Sequence, residues 1–149
     1  MRQGELWPEK WEPLELAYFA GLFDGEGSVG IYDTKLIAQK GGQAQFRVCI
    51  CNNDPRPLDR VKTLFGGRVR PRLRTYRGRL TNNWEWYIHG HKADRFLVAV
   101  LPYLIIKRDQ AEVYLSARRH LVGQGRIKTP TYAEALVRAE LVLKELKRG

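Results

Sequence analysis

The chain has 149 residues, of which 44% are hydrophobic, and this predicts one globular domain over residues 1–149 with a single core. No stretch reaches the ~18–20 apolar residues of a membrane span and no signal peptide is visible, so we expect an intracellular protein that is neither secreted nor in a membrane. Lys and Arg number 26 against 16 Asp and Glu, a net charge of +10, which favours a polyanionic partner.

The first predicted element is a helix over residues 14–24, which ends at Gly25 and Gly27. Two carboxylates, Asp24 and Glu26, stand at its C-terminal end, where the helix dipole disfavours negative charge by roughly 0.3–1 kcal/mol. A local rule broken in this way typically marks a functional site. Carboxylate and free carbonyl oxygens together suit a hard cation such as Mg²⁺.

Two strands follow, from Val29 to about Asp33 and from Gln43 to Cys51. The second strand alternates cleanly between a polar and an apolar face. Its polar face holds Gln43, Gln45, Arg47 and Cys49, and its apolar face holds Ala44, Phe46, Val48 and Ile50. The only two cysteines, Cys49 and Cys51, share a strand face and are not expected to form a bridge, which fits a reducing compartment.

A turn over residues 52–57 leads to a short amphipathic helix over residues 58–65. The third strand, residues 68–74, places four arginines on one face and pairs with a fourth strand over residues 82–88. No acid lies between residues 60 and 85. Because four arginines without interleaved acids would repel one another, the pattern favours a binding surface over an ordinary solvated face.

Three more helices are predicted, over residues 92–100, 107–121 and 132–147. The element order is that of an α+β chain with a four-stranded antiparallel sheet. We expect a core domain over residues about 14–121 and a helical C-terminal extension over about 122–149.

Residues 19–27, Phe-Ala-Gly-Leu-Phe-Asp-Gly-Glu-Gly, resemble the motif of the LAGLIDADG homing endonucleases, and the element order resembles their αββαββα fold. The sequence differs from that motif at Phe19, Phe23, Gly25 and Glu26, exchanges that the family commonly shows. The resemblance implies a site-specific DNA endonuclease that hydrolyses both strands of a long, nearly palindromic double-stranded site. It also implies that Mg²⁺ is required and that the enzyme promotes mobility of its own intron. Mn²⁺ is expected to substitute for Mg²⁺, and Ca²⁺ to support binding only.

Only one copy of the motif is present, and the resemblance therefore implies a homodimer. Ala17, Gly21 and Gly25 lie four residues apart, with Ala20 beside them, and form a stripe that lets helices approach more closely than the usual ~8–10 Å. A two-fold axis through this stripe would bring both Glu26 side chains together. The alternative is that the stripe packs against another helix of the same chain.

The resemblance also implies a role for each acidic residue at the end of the first helix. It implies that the Glu26 carboxylate and the Gly25 carbonyl bind catalytic Mg²⁺, whereas an exposed turn acid is the simpler alternative. Asp24 is expected to cap the partner helix and support the interface rather than bind metal.

The family places further polar and basic residues around the metals. Lys107, five residues after Pro102, matches the lysine that orders water or offsets phosphate charge. Asn52, with Asn53 as a near alternative, and Arg56 match the remaining polar and basic partners. The alternatives are a solvated lysine at a helix start and a turn stabilised by Asn side chains.

A polar sheet face suits the major groove, where a β-ribbon presents every second side chain to base edges. The DNA-contacting residues predicted on this face are Ser28, Tyr32, Thr34, Gln43, Gln45, Arg47, Arg68, Arg70, Arg72, Arg74, Asn83 and Glu85.

Two other functions fit the same sequence. An RNA maturase of this fold would bind its intron RNA without needing the metal site, and a DNA-binding regulator would not need catalysis. A zinc site built from Cys49, Cys51, His89 and His91 is disfavoured, because the spacing is not that of a zinc finger.

Overall fold

The strands predicted from alternation form one antiparallel sheet in a computed structural model that describes residues 11–32, 44–122 and 130–148. The four strands are β1 Gly27–Tyr32, β2 Gln45–Asn52, β3 Arg68–Tyr76 and β4 Arg79–His89. Their spatial order is β1-β2-β4-β3, so β4 lies between β2 and β3 and β1 is an edge strand. The predicted α+β class and four-stranded antiparallel sheet are confirmed.

In the described residues, five α-helices accompany this sheet, in sequence positions close to those predicted. They are α1 Pro13–Glu26, α2 Arg56–Phe65, α3 Gly90–Val100, α4 Arg108–Val122 and α5 Pro130–Arg148, with a short 3₁₀ turn at Leu101–Tyr103. Within the described residues, no helix combines the length and apolar character that crossing a membrane requires.

Helix α1 extends further than its glycines predict. It runs through Gly25 to Glu26, and Gly27 then starts β1 directly, its N–H donating to the Phe23 carbonyl. A side chain at Gly27 would place its first carbon 2.1 Å from the Phe23 ring, so this position requires glycine. Both acids of the motif therefore lie in the last turn of a helix that passes straight into the sheet.

The apolar face of the sheet carries the core. Phe46, Val48 and Ile50 of β2 are buried there as predicted. Phe96 of α3 lies at the centre of an aromatic cluster, with ring centroids 5.0 Å from Trp86, 5.1 Å from Phe65 and 5.6 Å from Phe23. This cluster ties α1, α2 and α3 to one side of the sheet and leaves the opposite side free.

The C-terminal helix shares this core. Leu136 and Leu143 of α5 are each 2% exposed and belong to the same buried cluster, and α5 packs against α4 and β1. Helix α5 is thus built onto the sheet rather than held apart from it.

The β3–β4 hairpin extends past the helices. Its turn, Arg77–Gly78, has positive φ at both residues, the conformation that matches the twist of a tight hairpin. Residues 73–82 are exposed on both faces, including Leu73, Tyr76 and Leu80. The sheet therefore projects an arm beyond its own core.

Candidate active site and nucleic-acid interface

Asp24 connects the end of α1 to the start of α4. Its carboxylate accepts the backbone N–H groups of Ile105 at 2.9 Å, Ile106 at 3.1 Å and Lys107 at 2.9 Å. Three backbone N–H groups donating to one carboxylate form charge-assisted hydrogen bonds, which explains why an acid is stable at this otherwise unfavourable position. Asp24 was predicted to cap the partner helix and support the interface; within its own chain, its carboxylate binds the segment that leads into α4.

Lys107 makes a second contact between the α4 end of the junction and α1. Its Nζ donates to the Phe23 carbonyl at 3.0 Å, so this carbonyl at the end of α1 accepts a hydrogen bond from Lys107 as well as one from the Gly27 N–H. Burial lowers the pKa of the Lys107 ammonium below its usual value, while the nearby carboxylates of Asp24 and Glu26 act in the opposite direction. A half-buried cation is therefore fixed close to the motif acids.

Glu26 and Gly25 are exposed at the mouth of an open cleft of about 460 Å³. Gly25 is in the last turn of α1, where carbonyl groups have no partner within the helix. These oxygens are hard donors of the type that Mg²⁺ prefers. Among the described residues, no three or more His, Cys, Asp or Glu side chains come together as a metal site. One chain thus offers suitable oxygens but not a complete ligand set.

Asn52 and Arg56 are placed differently from the prediction. Asn52 Oδ1 accepts the Asp54 N–H at 2.9 Å, which is the turn-stabilising alternative. Arg56 is 87% exposed and its Nε donates to Asp54 Oδ1 at 3.0 Å. The side-chain and backbone hydrogen bonds from Arg56 hold the pKa of Asp54 at about 2. Arg56 lines a separate groove with Tyr18, so the structure does not bring it to the cleft at Glu26.

Glu85 lies at the centre of the polar sheet face, with a side chain only 2% exposed. Arg70 Nη2 donates to it at 2.8 Å, Arg72 Nη1 donates to it at 2.6 Å, and Arg47 forms a third ion pair. Glu85 was predicted to contact DNA, but three guanidinium groups cover its carboxylate in this structure. The absence of an acid along β3 is thus compensated by an acid from the neighbouring strand.

The three arginines also fix the charge of Glu85. Burial alone would raise the pKa of this carboxyl, but the hydrogen bond from Arg70 and the charges of Arg47 and Arg72 outweigh it, and the pKa lies below its usual value. The Tyr87 ring supports two of the same guanidinium groups, with its centroid 5.0 Å from Arg47 and 4.6 Å from Arg70.

The other predicted DNA contacts lie around this cluster. Arg68 and Arg74 are exposed on β3, and neither side chain has an ion pair within the described part of the chain. Gln45 is exposed at the start of β2. The cleft that begins at Glu26 is also lined by Ser28, Tyr32, Arg74 and Asn83. Thr34 and Gln43 lie outside the described residues.

The dimer stripe is only partly as predicted. Ala17, Gly21 and Gly25 are exposed along one face of α1. Ala20 differs, because it is fully buried in the core of its own chain. It therefore cannot belong to an exposed stripe.

Lys147 is a basic residue near the site that was not predicted from the sequence. Lys147 of α5 donates through Nζ to the Val29 carbonyl at 2.6 Å and to Ser28 Oγ at 3.3 Å. No local pattern identifies it, because the contact depends on how a helix 118 residues away packs on β1.

The cysteines do not form a zinc centre with the histidines in the described residues. Both are free, and burial raises the pKa of the Cys49 thiol to about 11. Cys51 contacts Glu85 and Arg72, each at 3.7 Å.

No protein-family model matches the sequence, and no curated protein matches it. Solved structures do match. The homing endonuclease I-CvuI, in complex with uncleaved DNA in the presence of Mg, is 20% identical with a TM-score of 0.67, over 91% of this chain and 83% of that one. The archaeal intron-encoded homing endonuclease I-Vdi141I, complexed with DNA, is 19% identical with a TM-score of 0.69, over 91% and 86%.

A third similar structure is the LAGLIDADG homing endonuclease I-SmaMI bound to cleaved DNA. It is 19% identical with a TM-score of 0.61, and the match covers 84% of this chain but 42% of that one. At such identities it is the arrangement of helices and strands that is shared. The chain has the fold of the LAGLIDADG homing endonucleases.

Proposed function

We propose that this protein is a metal-dependent, site-specific double-strand DNA endonuclease that acts as a homodimer. The observation that carries the proposal is the junction of α1 and α4, where exposed Glu26 and half-buried Lys107 stand at one end of an arginine-lined sheet face. A carboxylate beside a cation, next to a surface for a polyanion, suits hydrolysis of a phosphodiester bond. Structural neighbours bound to DNA support the same function.

The surface of α1 supports a dimer. Its buried side holds Phe19 and Phe23, yet Leu14 on the other side is 87% exposed and Tyr18 is also exposed. A helix that is apolar on both sides is expected to be buried on both sides. A second copy of the chain is the occupant that would place two motif helices against each other.

The glycines of α1 add to this argument. A methyl group at Gly21 or Gly25 would meet nothing within 4 Å outside the backbone of its own helix. Glycine inside a helix costs about 0.5–1 kcal/mol relative to alanine, and the described part of this chain gives no steric reason for that cost. Close approach of a second helix would supply one.

The exposed apolar surface continues beyond α1. Ile105 is 85% exposed and Ile106 72% exposed. Their backbone N–H groups bind Asp24, so both residues are held beside the end of α1. The proposed interface therefore includes the segment before α4, and its edge reaches Glu26.

Glu26 and the Gly25 carbonyl would hold a divalent metal, and phosphate, water and the second copy would complete its ligand set. Such a metal activates water and stabilises charge on the phosphate and the leaving oxygen. The lowered pKa of Lys107 makes its ammonium a better proton donor than an ordinary lysine. From its position Lys107 would order water or offset phosphate charge. Intron mobility would follow from cleavage at the insertion site.

The test is cleavage of a randomised double-stranded DNA library with Mg²⁺ or Ca²⁺, followed by sequencing of the cut ends. We expect cuts at one nearly palindromic site with Mg²⁺ and binding alone with Ca²⁺. The Glu26→Gln variant should bind DNA and fail to cut, whereas Glu112→Gln, which removes an equal charge from α4, should cut normally. Cleavage by Glu26→Gln at the wild-type rate would show that the site is wrong.

Binding without cleavage in either metal would instead indicate the regulator, and preference for structured RNA would indicate the maturase. Binding should also weaken steeply with salt, since each neutralised phosphate releases counterions. Sedimentation equilibrium of the wild type and of Gly21→Leu tests the dimer, because a bulky side chain on this face should yield monomers.

A further inference from the structure

A buried carboxylate inside a surface for DNA is unusual, because it opposes the charge that attracts the phosphates. Glu85 removes one negative charge from solvent and places it against Arg47, Arg70 and Arg72. Simple attraction of a polyanion would be stronger without it. Affinity for DNA therefore does not explain why an acid stands at this position.

The sheet register explains how one acid reaches three arginines. Glu85 is paired with Cys51 of β2 on one side and with Arg70 of β3 on the other. Two residues along β4, Tyr87 is paired with Cys49 and Arg68. The central strand thus carries a carboxylate and an aromatic ring next to each other, between the two arginine-bearing strands.

Each contact limits the freedom of a guanidinium group. Arg70 contacts both Glu85 and the face of the Tyr87 ring, and so does Arg47, so each is fixed at two points. Arg72 is held by Glu85 and by Cys51 Sγ. A guanidinium has five N–H donors, so one or two bonds to Glu85 leave others free. Arg70 remains 51% exposed and Arg72 40% exposed.

The other two arginines of β3 differ from Arg70 and Arg72 in that Glu85 does not hold them. Arg68 and Arg74 share the polar face with Arg70 and Arg72, yet they have no ion pair in the described residues. A mobile cation suits a phosphate, whose recognition tolerates many orientations. A fixed, planar fork suits the paired acceptors of a guanine, which require one orientation.

Resting on the DNA-binding role proposed above, we infer that Glu85 is a positioning residue for base recognition: it holds Arg47, Arg70 and Arg72 as base-reading groups, whereas Arg68 and Arg74 bind phosphates. Glu85 itself does not touch DNA. Its loss frees three arginines to move independently and raises the net charge of the face by one.

Removal of the Glu85 charge should raise the affinity for random-sequence DNA and lower the discrimination between base pairs. Glu85→Gln should bind random-sequence DNA several-fold more tightly at low salt, and log K against log salt should steepen by up to about one. At the base pairs beneath the cluster, discrimination should fall roughly tenfold. Affinity and specificity thus change in opposite directions.

The experiment is selection from a randomised double-stranded library in Ca²⁺, with sequencing of bound DNA, and titration of random-sequence DNA at several salt concentrations. Glu112→Gln is the matched control, because it removes the same charge from an exposed i,i+4 pair with Arg108. Glu85→Asp keeps the charge but shortens the side chain, and should lose base preference without gaining affinity for random DNA. A Glu85→Gln profile with wild-type base preferences overturns the inference, as does a loss of preference that Glu112→Gln shares.

A second pair of variants tests the inference even if Glu85→Gln does not fold. Arg72→Ala should relax the preference at particular base pairs, and Arg68→Ala should weaken binding to all sequences alike. Equal effects of the two substitutions on the base profile overturn the inference. If the wild type selects no DNA sequence at all, the proposed function fails first; if it selects one and Glu85→Gln selects the same one, only the role of Glu85 fails.

Discussion

The two faces of the sheet are ordered by different forces. On the apolar face, Phe96 packs against three aromatic rings, and order comes from the shapes of buried side chains. On the polar face, Glu85 gathers three arginines, and order comes from charge and hydrogen-bond direction. A polar sheet face can thus be as ordered as a core while remaining partly exposed. Substitutions on the two faces are therefore expected to change stability by different amounts and with a different dependence on pH.

Truncation of the apolar face should have the largest effect on stability. Phe96→Ala leaves a cavity at the centre of the aromatic cluster and should lower the free energy of unfolding by about 3–5 kcal/mol. Urea denaturation followed by Trp fluorescence measures it. The control is Val98→Ala, which alters an exposed position of the same helix and should change stability by less than about 0.5 kcal/mol. Similar losses in both variants would contradict the central place of Phe96.

Disruption of the polar face should cost less and should depend on pH. Glu85→Gln leaves three arginines without their counter-charge, but these side chains can turn to solvent, so we expect a loss of about 1–3 kcal/mol at pH 7. Because the pKa of Glu85 is lowered in the folded state, its stabilisation is present above about pH 4.3 and lost as the pH falls through the folded pKa.

The measurement is urea denaturation of wild type and Glu85→Gln between pH 7 and pH 3. Their stabilities should converge as the pH falls, because protonation removes from the wild type the charge that the variant already lacks. A gap that stays constant over this range would mean that Glu85 does not contribute as a carboxylate.

The α1–α4 junction should show a somewhat smaller effect than either face. Asp24→Asn weakens three charge-assisted hydrogen bonds to the start of α4, and we expect a loss of about 1–2 kcal/mol. Glu26→Gln, two residues further on and exposed, should change the free energy of unfolding by less than about 0.5 kcal/mol. Thermal unfolding of the two variants measures both changes. It tests whether Asp24 stabilises the fold while Glu26 does not.

The smallest stability effect should come from the exposed arginines. Arg68→Ala should leave the free energy of unfolding within about 0.5 kcal/mol of the wild type. Its slope of log K against log salt for random-sequence DNA should become shallower by about 0.9, the value for one phosphate contact. An unchanged slope would mean that Arg68 does not bind a phosphate.

The division between the two faces could be predicted from sequence, because it depends on local alternation. Phe46, Val48 and Ile50 alternate with Arg47 and Cys49, and a strand with that period must have one apolar side. The motif acids were also recognisable, since a helix end is a poor place for them. Such features are decided by residues within one element.

The partners of these residues could not be predicted, because they depend on contacts distant in sequence. The N–H groups that bind Asp24 begin 81 residues away, and nothing local indicates that α4 starts beside α1. Likewise, Glu85 sits between Cys51 and Arg70 only because β4 separates β2 from β3, and the sequence does not state that strand order. For the same reason, the sequence does not indicate that three arginines cover the Glu85 carboxylate.

The ends of the sheet have a consequence for self-association. An uncovered edge strand offers free backbone groups to which strands of other molecules can add. At β1, α5 packs against the strand and Lys147 occupies the Val29 carbonyl. At β3, Pro71 lacks an N–H and stands among closely spaced arginines, and both features discourage strand addition. Both borders thus resist growth into aggregates, which leaves the exposed side of α1 as the surface for the proposed dimer.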